Sequence, residues 1–342
     1  MAGEEEKTLG TIFTLLRQVA SLKQVQDYLR AKDIHHSAGS WDDLWESRVI
    51  PAIKAEKLLA SDLMMLLAES EEHGRQHVFL FKATSRTARA LMSEESVRRA
   101  AHNLGISALL REPKVLDTPD EPTYTDIRWE ESEGLSLIIK IVETKVSHEF
   151  CDERVEKGIL TKTYRVVSER VVNVVKLRND GLLQIRVGSR RNSSGGYEES
   201  LGRVLKMVQP FLDLSKFRRL SLGNVKNQLW SNRDTLGHLV RYSDATLKND
   251  QGTMLRAATG TKEANLHDDQ GASDGLAAFM KHEAYCDSSN IFFRPQDGGI
   301  PSKEIHVLMR GMDNEFALTV HCPKVDYEYV LRQIEALNTP VS

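Results

Sequence analysis

Residues 164–187 read YRVVSERVVNVVKLRNDGLLQIRV, and this stretch decides the fold class. Its first part is rich in valine, a residue type that favours strands. Asn179-Asp180-Gly181 then supplies turn residues, and Leu182–Val187 is an apolar run of strand length. The stretch predicts two antiparallel strands, Tyr164–Leu177 and Leu182–Val187, joined by a tight turn.

Further strand patterns lie on both sides of this hairpin. Upstream, the pattern predicts strands at Tyr124–Trp129 and Leu135–Val146. Downstream, a helix over residues 201–212 is followed by a second β-rich region in which Lys262–Asp274 is predicted to be a polar loop. The downstream strands are predicted at His238–Ser243, Thr253–Ala258, Ile291–Arg294, Ile305–Arg310 and Phe316–Cys322, before a helix at Tyr327–Leu337. Both β regions end as hairpin then helix, which is compatible with two degenerate halves.

The N-terminal third is mostly helical by periodicity, with one short strand at His77–Lys82. Ser21 and Ser40 are predicted N-caps, and Gly105 is a natural residue to follow a helix end. Pro51 is expected to end or kink the helix that follows Ser40.

These patterns predict an α+β protein with an N-terminal helical domain and an antiparallel sheet-and-helix body. The predicted segments are a helical domain (residues 1–110), a linker rich in proline and charge (111–123), a basic α+β domain (124–235) and a C-terminal α+β domain (236–342).

Cysteine usage and hydropathy indicate the expected compartment. Cys151, Cys286 and Cys322 are scattered and odd in number, which favours a reducing cytoplasm over a secreted disulfide framework. The first residues are acidic, and the longest apolar runs are far shorter than the roughly 20 residues that cross a bilayer. We therefore expect no membrane insertion.

Charge is unevenly distributed along the chain. The net charge is −7 over residues 1–160, +9 over 161–250 and −5 over 251–342. A basic middle segment predicts either a face that binds phosphate groups or a segment that docks on acidic protein surface. The sequence leaves both interpretations open.

Under the phosphate interpretation, the basic segment contacts nucleic acid, with DNA favoured over RNA. Phe211, Phe217 and Trp230 are interleaved with its cations, and they fit either base stacking or the core. The candidate nucleic-acid-binding residues are Arg190, Arg191, Lys206, Lys216, Arg218, Arg219, Lys226 and Arg233.

The helical domain has the order of a winged helix, three helices and then a strand. Its third helix begins with Asp42, Asp43 and Glu46, which DNA phosphates would repel. This favours a domain that docks a protein partner over one that reads DNA.

A second chemistry is suggested by three polar residues near the first β region. Pro119-Asp120 is followed by Glu143-Thr144-Lys145 at the end of an apolar strand. This arrangement resembles the PD-(D/E)xK nuclease pattern. The resemblance implies that Asp120 and Glu143 hold Mg²⁺ and that Lys145 helps to activate water.

The balance of these patterns favours a non-catalytic binding subunit without metal or cofactor. In this hypothesis, the helical domain binds a partner and the basic segment binds nucleic acid. Two alternatives remain: a Mg²⁺-dependent nuclease that uses Asp120, Glu143 and Lys145, and a protein-interaction or assembly subunit without nucleic acid. The sequence does not determine the oligomeric state.

Overall fold

The computed structural model describes residues 2–131, 134–189 and 197–339. Its α-helices are α1 (Ala2–Val19), α2 (Leu22–Ala31), α3 (Trp41–Leu44), α4 (Ile50–Lys54), α5 (Ala60–Glu72), α6 (Ser85–Leu91), α7 (Glu94–Asn103), α8 (Tyr197–Val208), α9 (Gly223–Ser231), α10 (Arg233–Leu236), α11 (Gln270–Met280) and α12 (Lys324–Leu337). Its strands are β1 (Gly74–Lys82), β2 (Thr123–Glu130), β3 (Ser136–Glu156), β4 (Ile159–Arg178), β5 (Leu182–Gly188), β6 (Arg218–Arg219), β7 (Val240–Lys248), β8 (Met254–Ala258), β9 (Tyr285–Phe293), β10 (Ile305–Met309) and β11 (Glu315–His321).

Helices combine with antiparallel sheet, so the predicted α+β class is confirmed. The chain divides into two compact units, each discontinuous in sequence. The first unit comprises residues 1–18 and 83–216, and the second comprises 19–82 and 217–342. The segmentation into domains 1–110, 124–235 and 236–342, by contrast, is continuous along the chain and stays a prediction.

The first unit contains a sheet of order β2-β3-β4-β5 with antiparallel pairing throughout. One face is apolar, and Ile127, Ile139 and Val175 are fully or almost fully buried there. Helical segments cover this face, since Trp129 donates its indole N–H to the Met92 carbonyl at 2.9 Å. The opposite face carries a second buried apolar cluster, Ile138, Val142, Val172 and Val174, so the body of this sheet is packed on both faces.

The turn Asn179-Asp180-Gly181 joins β4 to β5. Gly181 has a φ of +95°, and its N–H donates to the Arg178 carbonyl at 3.0 Å. A Cβ at Gly181 would lie 2.1 Å from the Ala83 carbonyl oxygen, so only glycine fits. The hairpin predicted from Asn179-Asp180-Gly181 is confirmed for this physical reason.

The second unit contains a sheet of order β1-β11-β10-β9-β7-β8, and β6 pairs with β1. These pairings are also antiparallel. The hairpin β10–β11 is followed by α12, just as β4–β5 is followed by α8, so both β regions end as the sequence predicts. The duplication itself stays a prediction.

Helix caps follow the sequence, whereas the region around Pro51 differs. Ser21 Oγ accepts from the Gln24 N–H, and Ser40 Oγ accepts from the Asp43 N–H, both at 3.1 Å. The helix begun at Ser40 does not stop at Pro51. It passes through a π-helical segment, Trp45–Val49, into α4. A widened turn of this kind accommodates a residue that lacks an N–H.

The loop predicted at Lys262–Asp274 is partly wrong. Helix α11 begins at Gln270, and Asp269 caps it by accepting from the Ala272 N–H at 2.9 Å. Gly271 and Gly275 lower the helix propensity of this segment, so its periodicity was inconspicuous.

Candidate protein-interaction surface

The predicted nucleic-acid residues have different environments. Arg190 and Arg191 lie outside the described residues. Four other cations have exposed side chains: Lys206, Lys216, Arg218 and Arg219. Arg218 and Arg219 form the short strand β6, opposite Lys82 and Phe81 of β1.

The last two predicted cations are half-buried and form hydrogen bonds within the second unit. Lys226 Nζ donates to the Asp287 carbonyl at 2.6 Å. Arg233 Nε donates to Ser273 Oγ at 3.2 Å, and Arg233 also donates to the Trp230 carbonyl. Lys226 thus uses one of its three N–H donors and Arg233 uses several of its five.

Much of the remaining positive charge in residues 161–250 is already paired with carboxylates. Lys176 is almost fully buried and lies 3.2 Å from Glu130. Six such pairs have N–O distances between 2.5 and 3.2 Å: Lys162–Glu153, Arg165–Glu149, Lys176–Glu130, Arg178–Asp180, Arg203–Glu199 and Arg241–Glu304. Four of these carboxylates, Glu130, Glu149, Glu153 and Glu304, lie outside residues 161–250, so they offset four of the nine excess positive charges of the basic segment.

Two of the interleaved aromatic residues belong to the core. Trp230 is 2% exposed and donates its indole N–H to Ser289 Oγ at 3.1 Å. Phe211 is buried with its ring edge-on to Tyr124, at a centroid distance of 5.9 Å. Neither ring is accessible for stacking on a base.

The three residues of the nuclease pattern occupy different settings. Asp120 is exposed in the segment before β2, whereas Glu143 is buried on β3. The Glu143 carboxylate accepts from Asn173 Nδ2 at 3.0 Å and lies 2.6 Å from Lys145 Nζ. Across the described ranges, no group of three or more His, Cys, Asp or Glu side chains is arranged to hold a metal ion. Glu143 is the anion of a buried ion pair with Lys145.

The most distinctive surface in the first unit is an arm made by the ends of β3 and β4. The pairing of β2 with β3 extends to Thr123–Val142, and that of β5 with β4 extends to Val174–Arg186. Beyond these points β3 and β4 pair with each other as far as Glu156 and Ile159. We call residues 146–168 the hairpin arm.

A two-residue turn closes the arm. Lys157 and Gly158 have φ values of +50° and +80°. Positive φ at both central residues defines the type I′ turn, whose twist matches that of paired strands. The turn holds Glu156 opposite Ile159. The arm is therefore a regular antiparallel ribbon from the sheet to its tip.

One side of the ribbon is apolar, and we call it the arm face. Alternate residues of β4 point to the same side, together with their cross-strand partners on β3. The apolar members of the arm face are Val146, Phe150, Val155, Leu160, Tyr164 and Val166. Each is between 50% and 68% exposed. Six exposed apolar side chains on one side of a two-stranded ribbon make the arm face a candidate binding surface.

The opposite side of the ribbon is mainly polar. It carries the pairs Glu149–Arg165 and Arg154–Thr161. Over residues 146–168 the chain has four acidic and four basic side chains, so the arm has no net charge. The arm thus lacks the excess of cations that attracts nucleic acid.

The centre of the arm face is an aromatic pair. The Phe150 and Tyr164 rings meet edge to face, with centroids 5.9 Å apart. Immediately after Phe150, the register shifts by one residue at Cys151, which forms a bulge. Large aromatic side chains are the usual anchors of protein interfaces.

The sequence contained a signal for the arm that the strand prediction missed. Leu160, Tyr164 and Val166 fall on one side of a strand pattern and the polar residues Thr161, Thr163 and Arg165 on the other, but the predicted strands leave residues 147–163 unassigned. Lys157-Gly158 is a weaker turn signal than Asn-Gly or Asp-Gly, and charged residues interrupt the apolar alternation.

The sequence matches no known family model and no curated protein. In the part of the chain that the structure describes, no helix has both the length and the apolar composition that crossing a bilayer requires.

Proposed function

We propose that this protein is a protein-interaction subunit that binds its partner through the arm face. The exposure of six apolar side chains on one side of a ribbon that extends beyond its neighbouring strands carries this proposal. A two-stranded ribbon is marginally stable in water by itself. Burial of its apolar face against a partner would add hydrophobic stabilisation. The internal pairing of the basic segment supports the same conclusion.

A matched pair of substitutions tests this function. Tyr164→Lys places a charge at the centre of the arm face, whereas Thr163→Lys places the same charge on the opposite side of the ribbon. Tagged full-length chains are expressed in the native cells, and the proteins that co-purify, including untagged copies of the chain, are quantified.

We expect the Tyr164→Lys chain to lose its specific partners by about tenfold or more, as for an aromatic anchor in an interface. The Thr163→Lys chain should retain them. Equal recovery with both variants would mean that the arm face is not the binding surface.

Nucleic-acid binding is a second candidate, favoured by the exposed pair Arg218 and Arg219. Replacing both with alanine should lower affinity for double-stranded DNA by about tenfold and reduce its salt dependence. Arg98 and Arg99 of α7 are also exposed and adjacent, so their double alanine variant is the control. Absence of wild-type binding at low salt would remove this candidate.

A further inference from the structure

The arm face is close to symmetric about its aromatic pair. It consists of five cross-strand rows. From the body to the tip they are Val146–Ser168, His148–Val166, Phe150–Tyr164, Glu153–Lys162 and Val155–Leu160. The aromatic row is central, polar or charged side chains stand in the rows beside it, and aliphatic side chains stand at both ends.

Such a surface complements a second copy of itself rotated by 180°. The aromatic row then meets the aromatic row of the other copy, and Val146 in the row nearest the body meets the aliphatic row Val155–Leu160 at the tip of the other copy. The Glu153–Lys162 ion pair, which has an N–O distance of 3.0 Å, faces the His148–Val166 row. Like charges are therefore not brought together.

The area of the arm face is sufficient for a dimer. At exposures of 50–68%, its six apolar residues present on the order of 600 Å² of surface, so two stacked copies remove at most about 1,200 Å² from water. This reaches the lower range of specific protein interfaces. Obligate dimers bury a much larger area than this. We therefore expect the dimer to dissociate into monomers on dilution.

We propose that the partner of the arm face is a second copy of this chain, and that two arms stack face to face in antiparallel orientation. This inference rests on the proposed function and names its partner. The two stacked ribbons then form a two-layered arm, in which each ribbon has one packed face that its own unit does not provide.

The dimer is tested by measuring the sedimentation of the purified full-length chain at protein concentrations between about 1 and 100 µM. This range covers the dissociation constants expected for an interface of this size. Wild type and Thr163→Lys should associate as concentration rises. Tyr164→Lys should dissociate about tenfold more readily or remain monomeric. Circular dichroism checks that both variants are folded. We expect them to be, because Tyr164 and Thr163 are both exposed.

The orientation is tested with spin labels. Cys151 is exposed while Cys286 and Cys322 are buried, so Cys151 takes the label in the native chain. It lies beside the central row, and packed sheets are about 10 Å apart, so the labels of the two copies should be on the order of 20 Å apart.

A second label position distinguishes antiparallel from parallel stacking. Thr161→Cys, in a chain with Cys151→Ser, places the label near the tip. Antiparallel stacking separates the two tips by four rows, on the order of 30 Å. A tip-to-tip distance equal to or shorter than the Cys151 distance would overturn the antiparallel arrangement.

The two proposals fail in different ways. A chain that stays monomeric at all concentrations overturns the homodimer. If Tyr164→Lys nevertheless loses co-purifying proteins that Thr163→Lys retains, the interaction function stands with another partner. If the arm-face substitution changes neither self-association nor co-purification, both proposals are wrong.

Discussion

Glu143 illustrates how its neighbours decide the role of one carboxylate. It is 3% exposed, and Lys145 and Asn173 both donate to it, with Arg203 Nε at 3.6 Å. A buried carboxylate is tolerated only when such partners compensate for lost hydration. The sequence located Glu143 and Lys145 on one face of a strand, but the pairing partners come from β4 and α8.

Glu143→Gln should therefore be destabilising. Loss of the negative charge leaves Lys145 and Arg203 without their shared anion, and we expect the free energy of unfolding to fall by about 3 kcal/mol. Urea denaturation followed by circular dichroism measures the change. Asp120→Asn, at an exposed position, is the control and should shift stability by less than about 0.5 kcal/mol. Equal effects of the two substitutions would contradict the structural role of Glu143.

His306 makes stability depend on pH. Burial lowers the pKa of His306, and the nearby Arg241 lowers it further while Asp244 raises it. Burial lowers the pKa of His321 in the same direction. A histidine whose pKa is lower in the folded chain binds more protons when unfolded, so stability rises with pH in this range.

We expect the free energy of unfolding to decrease as pH falls below about 6.5, the ordinary histidine value. His306→Gln should reduce this slope, even though it also removes the stacking of the imidazole on Phe292. Urea unfolding curves of the wild type and of His306→Gln, each recorded at pH 5.5 and 7.5, give the change of the free energy of unfolding with pH for both chains. A slope unchanged by His306→Gln would show that other groups govern the pH dependence.

At the scale of the element, the arm is separable from the core of its unit. Its strands pack on neither face, whereas Val142 and Val172, just beyond the arm's base, are buried. Lys145 and Glu169 lie directly opposite each other at the base. A short turn can therefore replace the arm without disturbing the register of the remaining sheet.

Deleting residues 146–168 and joining Lys145 to Glu169 by Asn-Gly should preserve the fold. Little apolar burial is lost, so we expect the free energy of unfolding at low protein concentration to change by about 1 kcal/mol or less. Self-association should disappear. Loss of cooperative unfolding in the deletion chain would indicate that the arm supports the core.

At the scale of the whole molecule, each compact unit is assembled from separated stretches of chain. The first unit needs residues 83–123 as well as its sheet, because Ala83 donates its N–H to the Gly181 carbonyl at 2.9 Å and Met92 receives the Trp129 indole N–H. A fragment cut at the boundaries predicted from sequence lacks these partners.

The fragment 124–235 should therefore fail to fold as an independent domain. It omits the helices that cover the apolar face of its sheet and adds residues 217–235 from the second unit. We expect weak near-ultraviolet circular dichroism and no cooperative urea transition, in contrast to the full-length chain. A cooperative transition in the isolated fragment would support the predicted segmentation instead.

The sequence by itself determined the α+β class, the order of most helices and strands, and the turn at Asn179-Asp180-Gly181. These features follow from local causes: side-chain period, caps and residues that adopt positive φ. The tertiary structure decided which charges are neutralised, because partners such as Arg241 and Glu304 are 63 positions apart. It also decided that the arm face is uncovered, since alternation within a strand defines an apolar side but not whether a neighbouring strand or helix reaches it.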